Sequence, residues 1–306
     1  MNINNIDEVK QQLKEIRDII DSLCLYYQQL DEVLCKLMTQ FTISPPITNK
    51  MHIVALFKKN IVGKRFTDAH NTRHCGSEGH WLERLMGIKQ NANNVPDILG
   101  YEMKKSSTKI TFGDFSASEY AFSSPVKRLE INRVNGWDFS IVINRKDFIH
   151  YFGSPNVNKN NRYSWSGGCF PIYDHWNRFG QTILVTDNND ICIYYSNSKD
   201  KRDTSTYPAY LKKDNILITI WMASDISARV NNKFNVNGFF ICQKDKTGIY
   251  NKIQFGNAFN FDTFIECFKK REIFIDSGMY ETNTRNYSQF RSRNAVFWQR
   301  LIVEEY

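Results

Sequence analysis

Two carboxylates and a lysine lie close together in the segment Pro96-Asp97-Ile98-Leu99-Gly100-Tyr101-Glu102-Met103-Lys104. In an extended strand, Glu102 and Lys104 project from the same face, because successive side chains alternate between the two faces. Gly100 permits a tight turn, so the carboxylate of Asp97 can come back beside that of Glu102. The spacing therefore predicts one site that holds two acids and one base.

Such a site suits metal-assisted hydrolysis. Mg²⁺ prefers hard oxygen ligands, which Asp97 and Glu102 supply, and it keeps bound waters that can become nucleophiles. Lys104 can orient or deprotonate the attacking water and can offset charge on a phosphate. Glu83, on a helical pattern just upstream, is a further candidate carboxylate. The alternative interpretation is an exposed strand that carries an ordinary Glu–Lys pair.

The segment from Gly79 to Lys104 resembles the active-site block of PD-(D/E)xK nucleases of the MvaI/BcnI restriction endonuclease family, which is related to the mismatch-repair nicking enzyme MutH. The matching elements are Leu82-Glu83, Met86-Gly87, Pro96-Asp97 and Glu102-Met103-Lys104. A second match is Asn177-Arg178-Phe179-Gly180, which is similar to the Asn-Arg-Phe/Tyr-Gly element of these endonucleases. The resemblance covers about 200 residues, most strongly at the first block.

The resemblance implies a type II restriction endonuclease that hydrolyses phosphodiester bonds of double-stranded DNA in a sequence-specific, Mg²⁺-dependent reaction. In this interpretation Asp97 and Glu102 hold the metal, Lys104 positions the attacking water and Glu83 assists. Asn177 and Arg178 belong to the region that contacts DNA. One alternative is a MutH-like enzyme that nicks DNA in repair. Another is a coiled-coil DNA-binding protein without catalytic activity, against which the intact Glu-x-Lys element argues.

Arginines and aromatic residues alternate near the end of the chain. Arg285, Arg291 and Arg293 are interleaved with Tyr287 and Phe290. Guanidinium groups bind phosphates and read guanine edges, so we expect these arginines to contact DNA. A solvated terminal hairpin is the alternative interpretation.

The elements that must position these residues follow from the hydrophobic pattern of the body. Short alternating runs rich in Ile, Val, Phe and Tyr predict strands. Five such runs lie at 139–143, 182–185, 191–195, 215–221 and 237–242. Helical patterns at 80–86 and 261–270 lie among them. The expected fold class is therefore α/β or α+β, and the resemblance implies a PD-(D/E)xK restriction-endonuclease-like core with a β-rich recognition lobe.

A heptad pattern runs from Ile6 to Phe41, without Gly or Pro before Pro45. It predicts a long N-terminal helix within residues 1–44 that either forms a coiled coil, as in a homodimer, or packs along its own domain. We assign residues 45–306 to the nuclease body, with a catalytic lobe at about 50–125 and a DNA-recognition lobe at about 126–306.

Charge and composition narrow the function further. The 306 residues carry a net charge of +8; seven acids and four bases give residues 1–42 a charge of −3, so residues 43–306 carry +11. The high positive charge of residues 43–306 favours a polyanionic partner. Seven cysteines without a Cys-x-x-Cys pair indicate reduced thiols. Neither a membrane-spanning run nor a secretion leader is visible, so we expect a cytoplasmic protein that does not enter membranes.

Overall fold

The computed structural model describes residues 3–40, 48–67, 76–89, 94–123, 139 and 141–306. The chain divides into two compact units, Met1–His52 and Ile53–Tyr306. The described residues contain six α-helices: α1 (Ile3–Gln40), α2 (Asn49–Asn60), α3 (Ser77–Leu85), α4 (Arg145–Phe152), α5 (Ala223–Phe234) and α6 (Phe261–Lys269). The helices predicted at 80–86 and 261–270 are therefore confirmed.

The same described residues contain fourteen strands. They are β1 (Glu102–Lys105), β2 (Lys109–Asp114), β3 (Glu119–Tyr120), β4 (Ser154–Asn156), β5 (Arg162–Trp165), β6 (Phe179–Val185), β7 (Ile191–Asp200), β8 (Ile216–Trp221), β9 (Phe239–Lys244), β10 (Tyr250–Gly256), β11 (Ile273–Ser277), β12 (Met279–Tyr280), β13 (Ser288–Arg293) and β14 (Ile302–Glu305). They form four sheets, with the orders β1-β9-β10-β14, β3-β8-β7-β6, β11-β13-β2 and β12-β5-β4. The mixed α/β class expected from the sequence is confirmed.

The sheet β1-β9-β10-β14, which we call the site sheet, carries the segment of chemical interest. β1 lies at its edge and runs parallel to β9, with Glu102 opposite Phe239 and Lys104 opposite Ile241. β9 and β10 then form an antiparallel pair, and β14 closes the other edge. The strands of this sheet come from both sides of residue 126, where the sequence predicted a boundary between lobes.

The two faces of the site sheet border different hydrophobic clusters. Met103, Phe240 and Cys242 join a cluster with apolar residues of α2 and α3, among them Phe57 and Leu82. The alternate residues of β9, Phe239 and Ile241, belong instead to the large core that also contains β7, β8, α5 and α6. Glu102 and Lys104 share that second face, so the strand period places two ionisable side chains against the main core.

One predicted strand is wrong in its described part. Phe139, Ile141 and Ile143 are buried and Val142 is exposed, which is the alternation that suggested a strand at 139–143. The described residues of this segment nevertheless belong to no strand. The backbone N–H of Ile143 donates to the Ala121 carbonyl at 3.4 Å, just after β3, so the alternating burial reflects packing against the core beside β3 and not a separate strand.

The N-terminal unit contains the long helix expected from the heptad pattern. α1 runs from Ile3 to Gln40, and each of its side chains from residue 11 to residue 33 is exposed. Large apolar side chains lie along it, including Leu13, Ile16 and Tyr27, which are 60%, 54% and 65% exposed. The predicted end near Pro45 lies outside the described residues. No helix in the described part of the chain is long and apolar enough to cross a membrane.

Candidate active site

A tight turn brings Asp97 back to the start of β1. Ile98 and Tyr101 bridge across it, with Leu99 at φ +50° and Gly100 at φ +81°. Two consecutive positive φ values are typical of a hairpin turn and explain the glycine. One carboxylate oxygen of Asp97, Oδ2, accepts a hydrogen bond of 2.8 Å from the backbone N–H of Met103. The predicted return of Asp97 beside Glu102 is thereby observed.

Glu102 and Lys104 form a buried ion pair. Lys104 Nζ donates to Glu102 Oε1 at 2.7 Å, and the two side chains are only 8% and 3% exposed. The ammonium group also lies 5.4 Å from the ring centre of Phe234 and 5.9 Å from that of Trp298. Aromatic faces stabilise a cation that has lost its water, which helps to keep Lys104 in place.

A second lysine reaches the same carboxylate. Lys233, in the last turn of α5, has its Nζ 3.0 Å from Glu102 Oε1 and is 17% exposed. The other oxygen, Glu102 Oε2, is buried and has no hydrogen-bond partner among the described residues. A buried carboxylate oxygen without a donor is costly, so this atom is well suited to bind a cation.

Burial and the charges of the cluster shift the pKa values of Asp97 and Lys104. Burial and, next, the charge of Glu102 raise the pKa of Asp97 to about 7, although Lys104, the hydrogen bond from Met103 and Lys233 act in the opposite direction. Burial lowers the pKa of Lys104, against the raising effect of Glu102. Two carboxyl groups held close together are a common arrangement at divalent-cation sites, because such ions prefer hard oxygen ligands.

Glu83 lies on α3, which packs against β1. Its Oε2 is 3.0 Å from Nδ1 of His80, one turn earlier on the same helix, and its side chain is 26% exposed. Asp97, Glu102 and Lys104 thus lie together, while the hydrogen bond of Glu83 is with His80 of its own helix.

Another glutamate of α3, which sequence reasoning missed, holds the opposite face of the site sheet. Glu78 receives hydrogen bonds from Lys105 at 3.0 Å, Lys244 at 2.8 Å and Tyr250 at 2.9 Å, so it connects α3 to β1, β9 and β10. Burial raises its pKa, but the three donors outweigh burial and lower it. Lys105 thus lies on the face of β1 opposite Lys104, where its ion pair with Glu78 joins β1 to α3.

No local pattern points to Lys233 or to Glu78. Lys233 meets Glu102 only because α5 precedes β9, the strand that pairs with β1. The spacing of Ile226, Val230 and Phe234 on α5 indicates its buried face, and Lys233 adjoins that face. That pattern predicts a partly buried lysine, but its partner depends on the tertiary fold.

Asn177 and Arg178 lie in the turn that leads into β6. Asn177 Oδ1 accepts hydrogen bonds from the backbone of Phe179 at 2.9 Å and of Gln181 at 3.0 Å, and its amide donates to the Cys169 carbonyl at 2.8 Å. These contacts give Asn177 a structural role in the turn. Arg178 is exposed, with its guanidinium 4.8 Å from the ring centre of Phe179. Of the two, Arg178 presents the group that can reach a phosphate.

The three C-terminal arginines are distributed over β13 and the loop before it. Arg285 pairs with Asp114 and stacks over Tyr287, with 5.1 Å between the guanidinium carbon and the ring centre. Arg291 pairs with Asp276 at 2.9 Å. Arg293 is exposed at the end of β13, opposite Lys109 of β2. Two of the three thus have acidic partners within the protein, and the exposed Arg293 and Lys109 form a basic edge.

Two comparisons by sequence, with a family model and with a relative, indicate the same class of enzyme. A family model described as LlaMI restriction endonuclease matches residues 61–306. The chain is 40% identical over 272 residues to the type II restriction enzyme ScrFI of Lactococcus lactis subsp. cremoris, which covers 84% of this chain and 98% of ScrFI. A solved complex of the restriction endonuclease MvaI with cognate DNA is similar over 86% of this chain and 99% of MvaI, with 13% identity and a TM-score of 0.49.

Proposed function

Because this chain belongs to the LlaMI restriction endonuclease family, we propose that the cluster of Asp97, Glu102 and Lys104 is its hydrolytic centre. The protein is a type II restriction endonuclease, an enzyme that hydrolyses DNA. The observation that carries the site proposal is the buried oxygen Glu102 Oε2, which has no donor among the described residues although Lys104 and Lys233 both bind the other oxygen.

We propose Mg²⁺ as the cofactor, bound by Asp97 and Glu102. Both side chains offer the hard oxygen atoms that this ion prefers, and the unpartnered oxygen of Glu102 fits a cation ligand. When bound, the ion would supply charge neutralisation at the phosphate and an acidified water.

Lys104 has the central role among the residues of the chain. Its ammonium is fixed by Glu102 and by two aromatic faces, so it can orient a water beside the carboxylates at little entropic cost. Burial lowers the pKa of Lys104, which eases proton exchange with that water. The oxygen of that water forms a bond to phosphorus while the bond to the leaving oxygen breaks, and the proton that the water loses ends on the leaving oxygen. Glu83 is proposed to assist from the neighbouring helix.

Double-stranded DNA is the partner of the body, whose charge of +11 over residues 43–306 favours a polyanion. We propose that Arg178 and Arg293 bind phosphates, that Arg285 and Arg291 exchange their acidic partners for DNA, and that Asn177 shapes the turn beside Arg178. Residues 50–125 supply the catalytic side chains and 126–306 most of the recognition surface, while β9, β10 and β14 complete the site sheet.

The N-terminal helix is proposed to pair two copies of the chain. Six heptad positions of α1, namely Leu13, Ile16, Ile20, Leu23, Tyr27 and Leu30, are each at least 50% exposed. Contiguous exposed apolar side chains on a helix favour association. Light scattering on the full chain and on a chain without residues 1–44 tests this proposal. A monomer mass for both proteins would rule it out.

We propose the cytoplasm as the place of action. The described cysteines Cys24, Cys169, Cys192, Cys242 and Cys267 are free thiols, which suits a reducing compartment.

Plasmid cleavage with Mg²⁺ or with EDTA tests the catalytic centre. We expect Glu102→Gln and Lys104→Met to remain folded and to lose cleavage. Glu305→Gln and Lys252→Met, which alter the exposed pair at the far edge of the same sheet, should cut normally. Mg²⁺-dependent cutting by either site variant would place the active site elsewhere. Mapping the fragment ends gives the recognition sequence, and accumulation of nicked circles would indicate a nicking enzyme.

A further inference from the structure

Two ammonium groups share one oxygen of Glu102. Lys104 Nζ is 2.7 Å and Lys233 Nζ is 3.0 Å from Oε1, while Oε2 has no donor among the described residues. Lys104 belongs to the motif, but Lys233 comes from α5 and has no part in the reaction as proposed above. Building on the proposed role of Glu102 as a metal ligand, we propose that Lys233 is a counter-ion that competes with the divalent cation for Glu102.

The charges of the cluster support this role. Asp97 and Glu102 contribute two negative charges when ionised, and Lys104 and Lys233 contribute two positive charges. The protein therefore neutralises the buried carboxylates with its own side chains, as buried charges require. When both carboxylates are ionised, a divalent cation bound by them adds two positive charges to a cluster that the two lysines already balance. Its binding is weakened by each lysine that stays in contact.

Two effects of removing Lys233 oppose each other, and the geometry decides between them. Loss of a partner loosens a metal ligand, which weakens binding. Loss of a positive charge beside the carboxylate removes repulsion, which strengthens binding. Lys104 still holds Oε1 at 2.7 Å after Lys233 is removed, and Glu102 stays packed at 3% exposure. The carboxylate therefore remains ordered, and the change in repulsion dominates.

Lys233 can also give up its partner more easily than Lys104. Its side chain is 17% exposed against 8% for Lys104, and it does not share the two aromatic contacts of that residue. A flexible lysine at the margin of a buried site can turn toward a phosphate. A bound phosphodiester supplies the negative charge that offsets the repulsion, so cation binding becomes stronger in the DNA complex.

Metal titration of the full-length protein without DNA tests the proposal independently of cleavage. The probe is Mg²⁺ in isothermal calorimetry, with Mn²⁺ in electron paramagnetic resonance as a second readout. Lys233→Met removes the charge and retains the apolar stem, whereas Lys233→Gln also retains a donor for Oε1. Lys233→Arg retains the charge. Lys252→Met is the matched control, since it removes a lysine from the exposed pair with Glu305. Thermal unfolding identifies any variant that fails to fold.

We expect both neutral variants to bind Mg²⁺ tighter by about tenfold or more, because a unit charge at this range alters binding by that order. Lys233→Arg should bind Mg²⁺ within about twofold of the unaltered protein, because it retains the charge. Lys252→Met should also stay within about twofold, since the charge of an exposed pair is strongly screened. Glu102→Gln should lose the site.

Two results would overturn the proposal, and they differ in what else they imply. Equal or weaker Mg²⁺ binding by Lys233→Met and Lys233→Gln, with binding still lost in Glu102→Gln, would exclude competition but leave the metal site in place. Unchanged Mg²⁺ binding by Glu102→Gln would show that the ion binds elsewhere, and the proposed catalytic centre would fall with it.

Discussion

The turn between Asp97 and β1 offers a sharp test of how the site is held. Gly100 has φ +81°, and an alanine Cβ there would lie 2.4 Å from Asn237 Nδ2 and 3.2 Å from Val236 Cγ1. Asn237 Nδ2 donates to the Leu99 carbonyl at 3.0 Å and thus closes the same turn. Gly100→Ala must therefore displace Asn237 as well as strain the backbone.

Gly63 provides a matched control for the size of this effect. Its φ is +80°, but a Cβ built there has no atom within 4 Å. Alanine with left-handed backbone angles costs about 1–2 kcal/mol, which is the whole cost expected for Gly63→Ala. For Gly100→Ala the lost hydrogen bond of Asn237 adds roughly 0.5–1.5 kcal/mol. We therefore expect a free energy of unfolding lower by about 1.5–3.5 kcal/mol for Gly100→Ala.

Chemical denaturation of the two variants measures the difference, and Asn237→Ala completes a double-mutant cycle. In the Asn237→Ala background Gly100→Ala should cost only the backbone strain, because the obstructing amide is gone. Cleavage should fall in Gly100→Ala and persist in Gly63→Ala, since only the first turn sets Asp97 against Glu102. Equal destabilisation by both alanines, or full cleavage by a folded Gly100→Ala protein, would refute the reasoning.

Four further outcomes are expected. Glu78→Gln should lower stability by about 1–3 kcal/mol at pH 7. Because the fold lowers the pKa of Glu78, this difference from the unaltered protein should be fully present above the unfolded pKa and should disappear as pH falls through the lower pKa of the folded state. A difference that is constant with pH would contradict the ion-pair account. Arg178→Ala should weaken DNA binding at unchanged stability. Equal affinity of the variant and the unaltered protein in a binding assay would show that Arg178 does not contact DNA. DNA affinity should fall steeply with salt, so a flat titration would count against a basic interface. A chain without residues 1–44 should still cut DNA, and loss of cleavage in a well-folded truncation would disprove an accessory role for α1.

The proximity of Asp97, Glu102 and Lys104 was predictable because these residues are close in the chain. Alternation along a strand placed Glu102 beside Lys104, and the glycine placed Asp97 beside both. The heptad pattern similarly predicted α1, since a helix follows from local periodicity. Each of these inferences needs only contacts between residues that are near one another in sequence.

What escaped prediction depends on contacts between distant parts of the chain. Lys233 reaches Glu102 because β9 pairs in parallel with β1, and no local pattern specifies that pairing. Asn177 lies in an element that suggested DNA contact, yet its side chain closes a turn. In the described part of 139–143, burial alternates as in a strand, although these residues belong to no strand. In each case the pattern gave the environment of a side chain but left its partner open.

The position of β1 at the edge of the site sheet has a consequence for the cell that makes this enzyme. In that sheet β1 has β9 as its neighbour, so Asp97, Glu102 and Lys104 have no strand to lie against until residues 239–244 have been translated. At about 5–20 residues per second, the ribosome needs roughly 7–30 seconds to go from Lys104 to Lys244. Throughout that interval the nascent chain carries the side chains of the proposed catalytic centre without the strand that pairs with β1. We therefore expect a chain that ends before residue 239 to lack a complete catalytic centre and to leave the DNA of the producing cell uncut.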